Sequence, residues 1–160
     1  MSAAVATSEQ TGGTFDENQR LGLVCAEVPD RQEAIKAALE QLGYTVRVAA
    51  GAPDAIDGMR KDPYEVVVLD QEFQAEPGAE NPVLQALRTM PMSVRRYIFV
   101  ALIGQEYKTL DNMTAFARSV NLVISLNDLA QLAPILKRGV ADNAQFYRVF
   151  REVLQEVGKR

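Results

Sequence analysis

The chain has 160 residues, of which 48% are apolar, and its formal net charge is −4. This length suits one domain with a continuous core, and the acidic balance without a basic stripe disfavours a nucleic-acid surface. The absence of histidine excludes histidine catalysis, histidine metal sites and histidine phosphorelay chemistry. No apolar run reaches the ~20 residues that span a bilayer, so we expect a cytoplasmic protein without membrane or nucleic-acid partners.

The chain begins with a polar segment and continues as one domain. Residues 1–19 are small and polar without apolar periodicity, which predicts a disordered tail or linker. We expect residues 20–160 to form the folded domain. Its only cysteine, Cys25, stands in an apolar run and is predicted to be a buried thiol.

The first half of the domain alternates strands with helices. Short apolar runs are separated by segments whose apolar residues recur at helical spacing, with Pro or Gly at the boundaries. This β-α-β-α-β order predicts a parallel sheet with right-handed crossovers. The predicted strands are 21–26, 44–49 and 65–70, and the predicted helices are 30–42 and 51–59.

The second half of the domain continues the alternation of strands and helices and then adds one helix more than the alternation needs. Helices are predicted at 81–90 and 109–120, with Met113 and Phe116 on the inward face of the second, and strands at 97–103 and 122–125. An extra helix, 128–138, ends before Gly139 and precedes a C-terminal helix over 142–157. The apolar stripe of that last helix is expected to pack on the sheet, with partner binding as the alternative; it comprises Phe146, Val149, Phe150, Val153, Leu154 and Val157.

The stretch from Glu65 to Asp70, EVVVLD, organises the predicted sheet. Three valines and a leucine in succession indicate a strand that is buried on both faces. The acidic residue at its carboxyl end lies at the edge where open α/β folds place their functional groups. Asp70 is therefore the first candidate for a functional side chain.

Two stretches give the chain a resemblance to the receiver domain of bacterial response regulators. The segment LGLVCAEVPDRQEAIKAALEQLGYTV, Leu21 to Val46, is similar to the first strand, first helix and second strand of a receiver. EVVVLD is similar to the strand that carries the phosphoacceptor aspartate. The resemblance implies an α/β, flavodoxin-like (CheY-like) doubly wound five-stranded parallel sheet, here with an extra helix before the C-terminal helix.

The resemblance also implies a site that has lost most of its parts. Receivers need an acidic pair for a divalent ion, an aspartate nucleophile, a hydroxyl and a lysine, because an acyl phosphate concentrates negative charge. Carried over by position, the nucleophile falls on Asp70, while no hydroxyl or ammonium is retained and Glu72 adds negative charge. The implied degenerate pocket comprises Ala26 and Glu27 (acidic pair), Asp70, Glu72, Leu102 or Ala101 (hydroxyl position) and Leu126 (lysine position).

Three hypotheses for function arise from these residues. The first is a pseudo-receiver, a signalling module that binds a protein partner without needing phosphate. The alternative is a phospho-accepting single-domain response regulator that uses Asp70, and in either case Glu27 and Asp70 provide at most a weak Mg²⁺ site and no other cofactor. The third, a nucleotide-binding enzyme, is disfavoured because the turn over residues 26–30 lacks glycine and no P-loop stretch is present, so we expect no enzyme.

The resemblance further implies a partner surface. Receivers commonly use the fourth helix, fifth strand and last helix for dimers and partners, so a homodimer is one expectation for this chain. The partner-binding residues predicted on this basis are Thr109, Asn112, Arg118, Asn127, Tyr147 and Arg151.

Overall fold

Five parallel strands form one sheet in the order β2-β1-β3-β4-β5. The structure, a computed structural model, describes residues 19–158, so the predicted tail lies outside the described residues apart from Gln19. Each predicted strand is present within a few residues of its predicted bounds, and the sheet confirms the predicted doubly wound, flavodoxin-like fold. The strands are β1 (Leu21–Cys25), β2 (Thr45–Val48), β3 (Tyr64–Asp70), β4 (Phe99–Gly104) and β5 (Leu122–Ser125).

The helices cover both faces of this sheet, and two core clusters show which helix lies on which face. The first and last helices pack through residues such as Ile35 and Leu136 on one face. Three others pack through residues such as Met59, Leu84 and Ala115 on the opposite face. The helices are α1 (Pro29–Gln41), α2 (Ala52–Lys61), α3 (Pro82–Thr89), the single turn α4 (Met92–Arg95), α5 (Asn112–Arg118) and α6 (Leu132–Gly158), with a 3-10 helix at Leu126–Gln131.

Strand β3 occupies the centre of the sheet, as the EVVVLD pattern predicts. It pairs with β1 on one side and β4 on the other. The side chains of Val66 to Leu69 are buried on both faces. Its central position brings Asp70 to the middle of the carboxyl edge of the sheet, beside the loops that follow β1 and β4.

The C-terminal helix differs from the prediction. An additional helical segment does precede it, as the 3-10 helix 126–131, but α6 then runs without a break from Leu132 through Gly139 to Gly158. Gly139 is required for close packing and does not end a helix: a Cβ there would meet Phe99 at 3.0 Å and Leu122 at 3.2 Å. A glycine inside an apolar helical pattern thus marks the place where α6 approaches the sheet.

Two predicted apolar faces are exposed in the structure. The stripe of α6 from Phe146 to Val157 was expected to pack on the sheet, yet Phe146 is 65% exposed and the buried residues of α6 all precede Gly139. On α5, Met113 and Phe116 were expected inward and are 78% and 83% exposed, because Ala115 is the residue that faces the core. Periodicity predicted helical structure in both segments but not the side of each helix that packs on the core.

In the part of the chain from residue 19 to 158, no helix combines the length and apolar content needed to cross a membrane.

Candidate functional site

The carboxylate of Asp70 lies at the end of β3 with both oxygens engaged. Its side chain is 3% exposed. The backbone N–H of Glu72 donates to Oδ1 at 3.0 Å, which closes a tight turn after the strand. Nη1 of Arg31 donates to Oδ2 at 3.0 Å. Asp70 is therefore buried as part of an ion pair and a turn.

Arg31 places a cation in this crevice, at a position that the resemblance did not single out. It stands in the first turn of α1, two residues after Pro29, which begins the helix at the same edge of the sheet. Its Nη1 also donates to Oε1 of Glu72 at 3.0 Å. The hydrogen bond to Asp70 raises the pKa of the Arg31 guanidinium above its ordinary value, so this cation is permanent. One guanidinium thus bridges two carboxylates.

Glu27, the retained member of the predicted acidic pair, is committed to the loop after β3. Its carboxylate accepts from the backbone N–H of Gln74 at 3.1 Å and also from the Gln74 side-chain amide. Gln74 has a positive φ of 56°, and its Oε1 accepts from the N–H of Ala52 at 3.4 Å, at the start of α2. Ala26, the other member of the pair, is buried in the core. Glu27 therefore holds two loops together.

The predicted Mg²⁺ ligands consequently have protein partners of their own. Glu27 is bound to Gln74, whereas Asp70 is bound to Arg31 and to the turn at Glu72. Across residues 19–158, no three acidic or cysteine side chains converge in a way that could hold a metal ion.

The register between β3 and β4 corrects the position predicted for the missing hydroxyl. Asp70 pairs with Ile103, while Leu102 pairs with Leu69. Because side chains alternate along a strand, Leu102 points to the face opposite that of Asp70, and it lies in the core beside α2 and α3. Ile103 is thus the neighbour of Asp70, and Ala101, the alternative position, lies on the same face two residues before it. Neither has a hydroxyl.

Leu126, the predicted lysine position, begins the 3-10 helix directly after β5. It is half-buried against the core cluster that also contains Ile103 and Ile124, on the same face of the sheet as Asp70. The apolar character predicted for this side of the crevice is therefore present, with Ile103 in place of Leu102.

The loop after Asp70 is held in place by Asn81, which begins the predicted helix 81–90, and by Phe73; neither was predicted to be part of the site. Oδ1 of Asn81 caps α3 by accepting from the N–H of Val83 at 2.9 Å. Its Nδ2 donates to the carbonyls of Gln71 and Phe73, both at 2.9 Å. The Phe73 side chain is buried in the core, so a segment that appears polar in sequence is a packed part of the site.

The side chain of Tyr107 borders the site at the end of β4. Tyr107 lies across Gly104 at the end of β4, where a Cβ would meet its ring at 2.6 Å. Its hydroxyl donates to the side-chain oxygen of Gln71, next to Asp70. The guanidinium of Arg118 lies over the same ring, 5.8 Å from its centroid. The spacing of Gly104 and Tyr107 is the sequence signal for this contact.

The six predicted partner-binding residues fall into three groups. Thr109 is half-buried and bonded within the fold: its hydroxyl accepts from the N–H of Ser125 at 2.8 Å and donates to Asp128 at 2.5 Å. Arg118 is half-buried over Tyr107. The exposed residues of the set are Asn112, Asn127 and Arg151, and Arg151 lines a groove of α6 together with the half-buried Tyr147.

Comparison with known proteins gives a consistent fold. No protein-family model matches the chain, and no curated protein matches it. Solved structures, however, match the chain. The receiver domain of the sensor histidine kinase PA1611 from Pseudomonas aeruginosa PAO1, solved with magnesium in its active site cleft, is 19% identical with a TM-score of 0.59, covering 77% of this chain and 98% of that one.

Two further receivers agree with it. A CheY-like response regulator receiver domain protein from Methanospirillum hungatei JF-1 is 16% identical with a TM-score of 0.60, covering 80% of this chain and 98% of that one. The receiver domain of a putative LuxO repressor from Vibrio parahaemolyticus is 10% identical with a TM-score of 0.62, covering 82% and 97%. The chain therefore has the fold of a response regulator receiver domain.

Proposed function

We propose that this protein is a signalling module of the receiver type that acts by binding a protein partner, has no catalytic activity of its own and does not use phosphorylation of Asp70 as its trigger. The proposal rests on the hydrogen bonding and the burial of the Asp70 carboxylate. Both of its carboxylate oxygens accept internal hydrogen bonds, one from Arg31 and one from the Glu72 backbone, and its side chain is 3% exposed.

Phosphoryl transfer to Asp70 would have to disrupt this arrangement. Phosphorus must be able to reach the attacking oxygen, whereas the side chain of Asp70 is 3% exposed, and the transferred group needs cationic and hydrogen-bonding partners. Arg31 is already shared between Asp70 and Glu72. Ile103 and Leu126 offer no donor, and an acyl phosphate beside Glu72 would add negative charge to a crevice with one cation. These features support phosphate independence.

The second candidate is a phospho-accepting regulator, and a specific observation favours it. Asp70 is retained at the end of the central strand, and Arg31 supplies a cation within 3.0 Å of its carboxylate. In this version the guanidinium takes the part of the missing lysine and turns from the carboxylate to the new phosphoryl oxygens. Mg²⁺ would bind weakly, because Glu27 would have to release Gln74.

An NMR titration distinguishes the two candidates. Beryllofluoride with Mg²⁺, a non-covalent mimic of the phosphoryl group, is added to ¹⁵N-labelled protein, with Mg²⁺ alone as a separate arm. We expect the amides of Asp70, Gln71 and Glu72 to remain unshifted at millimolar beryllofluoride. Saturable shifts at these amides that disappear in Asp70→Asn would contradict the proposal and support the phospho-accepting candidate.

A further inference from the structure

The outer half of α6 carries an apolar surface that the domain leaves uncovered. We define this surface, the α6 stripe, as six side chains whose exposed fractions run from 43% to 65%. It shares no residue with the crevice around Asp70, so a role for the stripe goes beyond the proposed function. The stripe consists of Phe146, Val149, Phe150, Val153, Leu154 and Val157.

The spacing within the stripe is that of a helix that packs on another helix. Phe146, Phe150, Val153 and Val157 follow one another at intervals of four, three and four residues, the a/d seam of a heptad pattern. Val149 and Leu154 flank this seam and widen it. The 27 residues of α6 extend about 40 Å, so the stripe projects beyond the short strands of the sheet.

A groove beside the stripe extends the apolar surface onto the body of the domain. It has a volume of about 280 Å³ and lies between Tyr97, after α4, and the α6 residues Tyr147, Phe150 and Leu154. Tyr97 is itself largely exposed. A side chain projecting from a second helix on the stripe would therefore find a place between α6 and Tyr97.

We propose that the α6 stripe is the interface of a symmetric homodimer in which the outer halves of two α6 helices pack antiparallel. The six side chains leave roughly 600 Å² of apolar surface in water, as much as the largest patch of a typical monomer. Pairing two copies buries at most roughly 1,200 Å² in total, which is the lower end of specific, stable interfaces. The groove at Tyr97 adds to this area.

The helix dipoles favour a second copy in the antiparallel sense, because the dipoles of two antiparallel helices oppose each other. The stripe lies beyond Gly139, whereas the buried residues of α6 all precede Gly139. An antiparallel pair therefore sets the two folded domains at opposite ends of the paired segments, whereas a parallel pair would bring both domains to the same end. A two-fold axis near residues 151–152 places Phe146 of one copy against Val157 of the other.

Sedimentation equilibrium over a concentration series tests the dimer. We expect the full chain to be dimeric at about 100 µM, as an interface of this size allows. Phe146→Glu and Val153→Glu should each weaken the dimer by at least about 30-fold, the effect of losing one apolar anchor from each copy. Because both side chains are exposed, circular dichroism and the melting temperature should stay near wild type.

Phe116→Glu is the matched control, since Phe116 is an equally large side chain that is 83% exposed on α5. We expect it to leave the dimer unchanged. A monomer at 100 µM, a dimer that survives both stripe variants, or a dimer that is lost only in Phe116→Glu would each overturn the proposal. The last result would place the interface on the α5 face.

Cross-linking tests the orientation. The native thiol of Cys25 is buried, and burial raises its pKa to about 12, so it does not compete. In the antiparallel pair Phe150 faces Val153 of the second copy, so an oxidised mixture of Phe150→Cys and Val153→Cys should form mainly the mixed disulfide. Predominant disulfides between identical variants, or no cross-link from a mixture that still sediments as a dimer, would contradict this orientation.

Discussion

Replacing Arg31 with methionine removes the only cation that contacts Asp70 within residues 19–158 while keeping the length and apolar stem of the side chain. The carboxylate of Asp70, with its side chain 3% exposed, is then left with a single donor, the Glu72 N–H. A hydrogen bond to a charged group is worth about 1.5–3 kcal/mol, and breaking a fully buried ion pair costs about 3–5 kcal/mol.

The structure places the cost of Arg31→Met in the lower of these two ranges. The Arg31 side chain is 20% exposed, so water partly screens the pair. Its second contact, to the largely exposed Glu72, adds less than about 0.5 kcal/mol. We therefore expect Arg31→Met to lower the free energy of unfolding by about 2–3 kcal/mol. Arg31→Lys keeps the charge without the planar fork and should recover part of this loss.

Urea unfolding of a double-mutant cycle with Asp70→Asn measures the pair itself. The asparagine can still accept from Glu72, so this single variant should cost about 1 kcal/mol, with a coupling to Arg31 of about 1.5 kcal/mol. The opposite pattern would refute the reasoning. If Arg31→Met costs less than about 0.5 kcal/mol and Asp70→Asn stabilises the protein, Asp70 lies in an unneutralised acidic pocket of the kind that functional sites maintain.

Three further predictions concern the loops and helices that pack around the sheet. Asn81→Ala should cost about 3 kcal/mol in urea unfolding, because it removes the α3 cap and leaves two loop carbonyls without their donor. Gly139→Ala should cost about 1 kcal/mol, since the 3.0 Å contact with Phe99 outweighs the roughly 1 kcal/mol gain in helix propensity. Asp54 accepts hydrogen bonds, with the largest effect from the Ala50 N–H, and these lower the pKa of its carboxyl below the ordinary 3.8. The contribution of Asp54 to folding stability is therefore present above pH 3.8 and is lost as the pH falls through the folded-state pKa. Asp54→Asn should make the loss of stability below about pH 4 less steep.

Each of these has a control. Asn81→Ser keeps a cap without the two donated bonds and should lose about half as much. A neutral Asn81→Ser would show that the loop bonds contribute nothing, and a loss equal to that of Asn81→Ala would show the same of the cap. Gly158→Ala, where a Cβ meets nothing within 4 Å, should be neutral or stabilising. A stabilised Gly139→Ala would show that the Phe99 ring moves at little cost. If the stability of Asp54→Asn falls as steeply in acid as that of the wild type, Asp54 does not make this pH-dependent contribution.

The fold was predictable because its strongest signals are local. EVVVLD has the composition of a strand buried on both faces, and the neighbouring segments change between apolar runs and helical spacing at Pro and Gly boundaries. Gly139 misled the prediction because a glycine at a helix end and a glycine at a close helix–sheet contact have the same appearance in sequence.

The site was less predictable because its contacts join distant segments. Arg31 follows Pro29 at the start of α1, which a parallel sheet brings to the same edge as Asp70, but the resemblance directed the search for a cation to the end of β5. The neighbour of Asp70 depends on strand register, and a shift of one residue exchanges Leu102 for Ile103. The α6 stripe shows the same limit, since periodicity predicts an apolar face without showing what covers it.

The central claim, that Asp70 is a structural partner of Arg31 and not a phosphoacceptor, is tested most directly by mass. The protein is incubated with acetyl phosphate and Mg²⁺, quenched in acid and measured as an intact chain, beside Asp70→Asn and beside a receiver known to be phosphorylated by acetyl phosphate. We expect the wild-type mass to be unchanged while the reference receiver gains one phosphoryl group. A near-stoichiometric phosphoryl adduct on the wild type that is absent from Asp70→Asn would contradict the account.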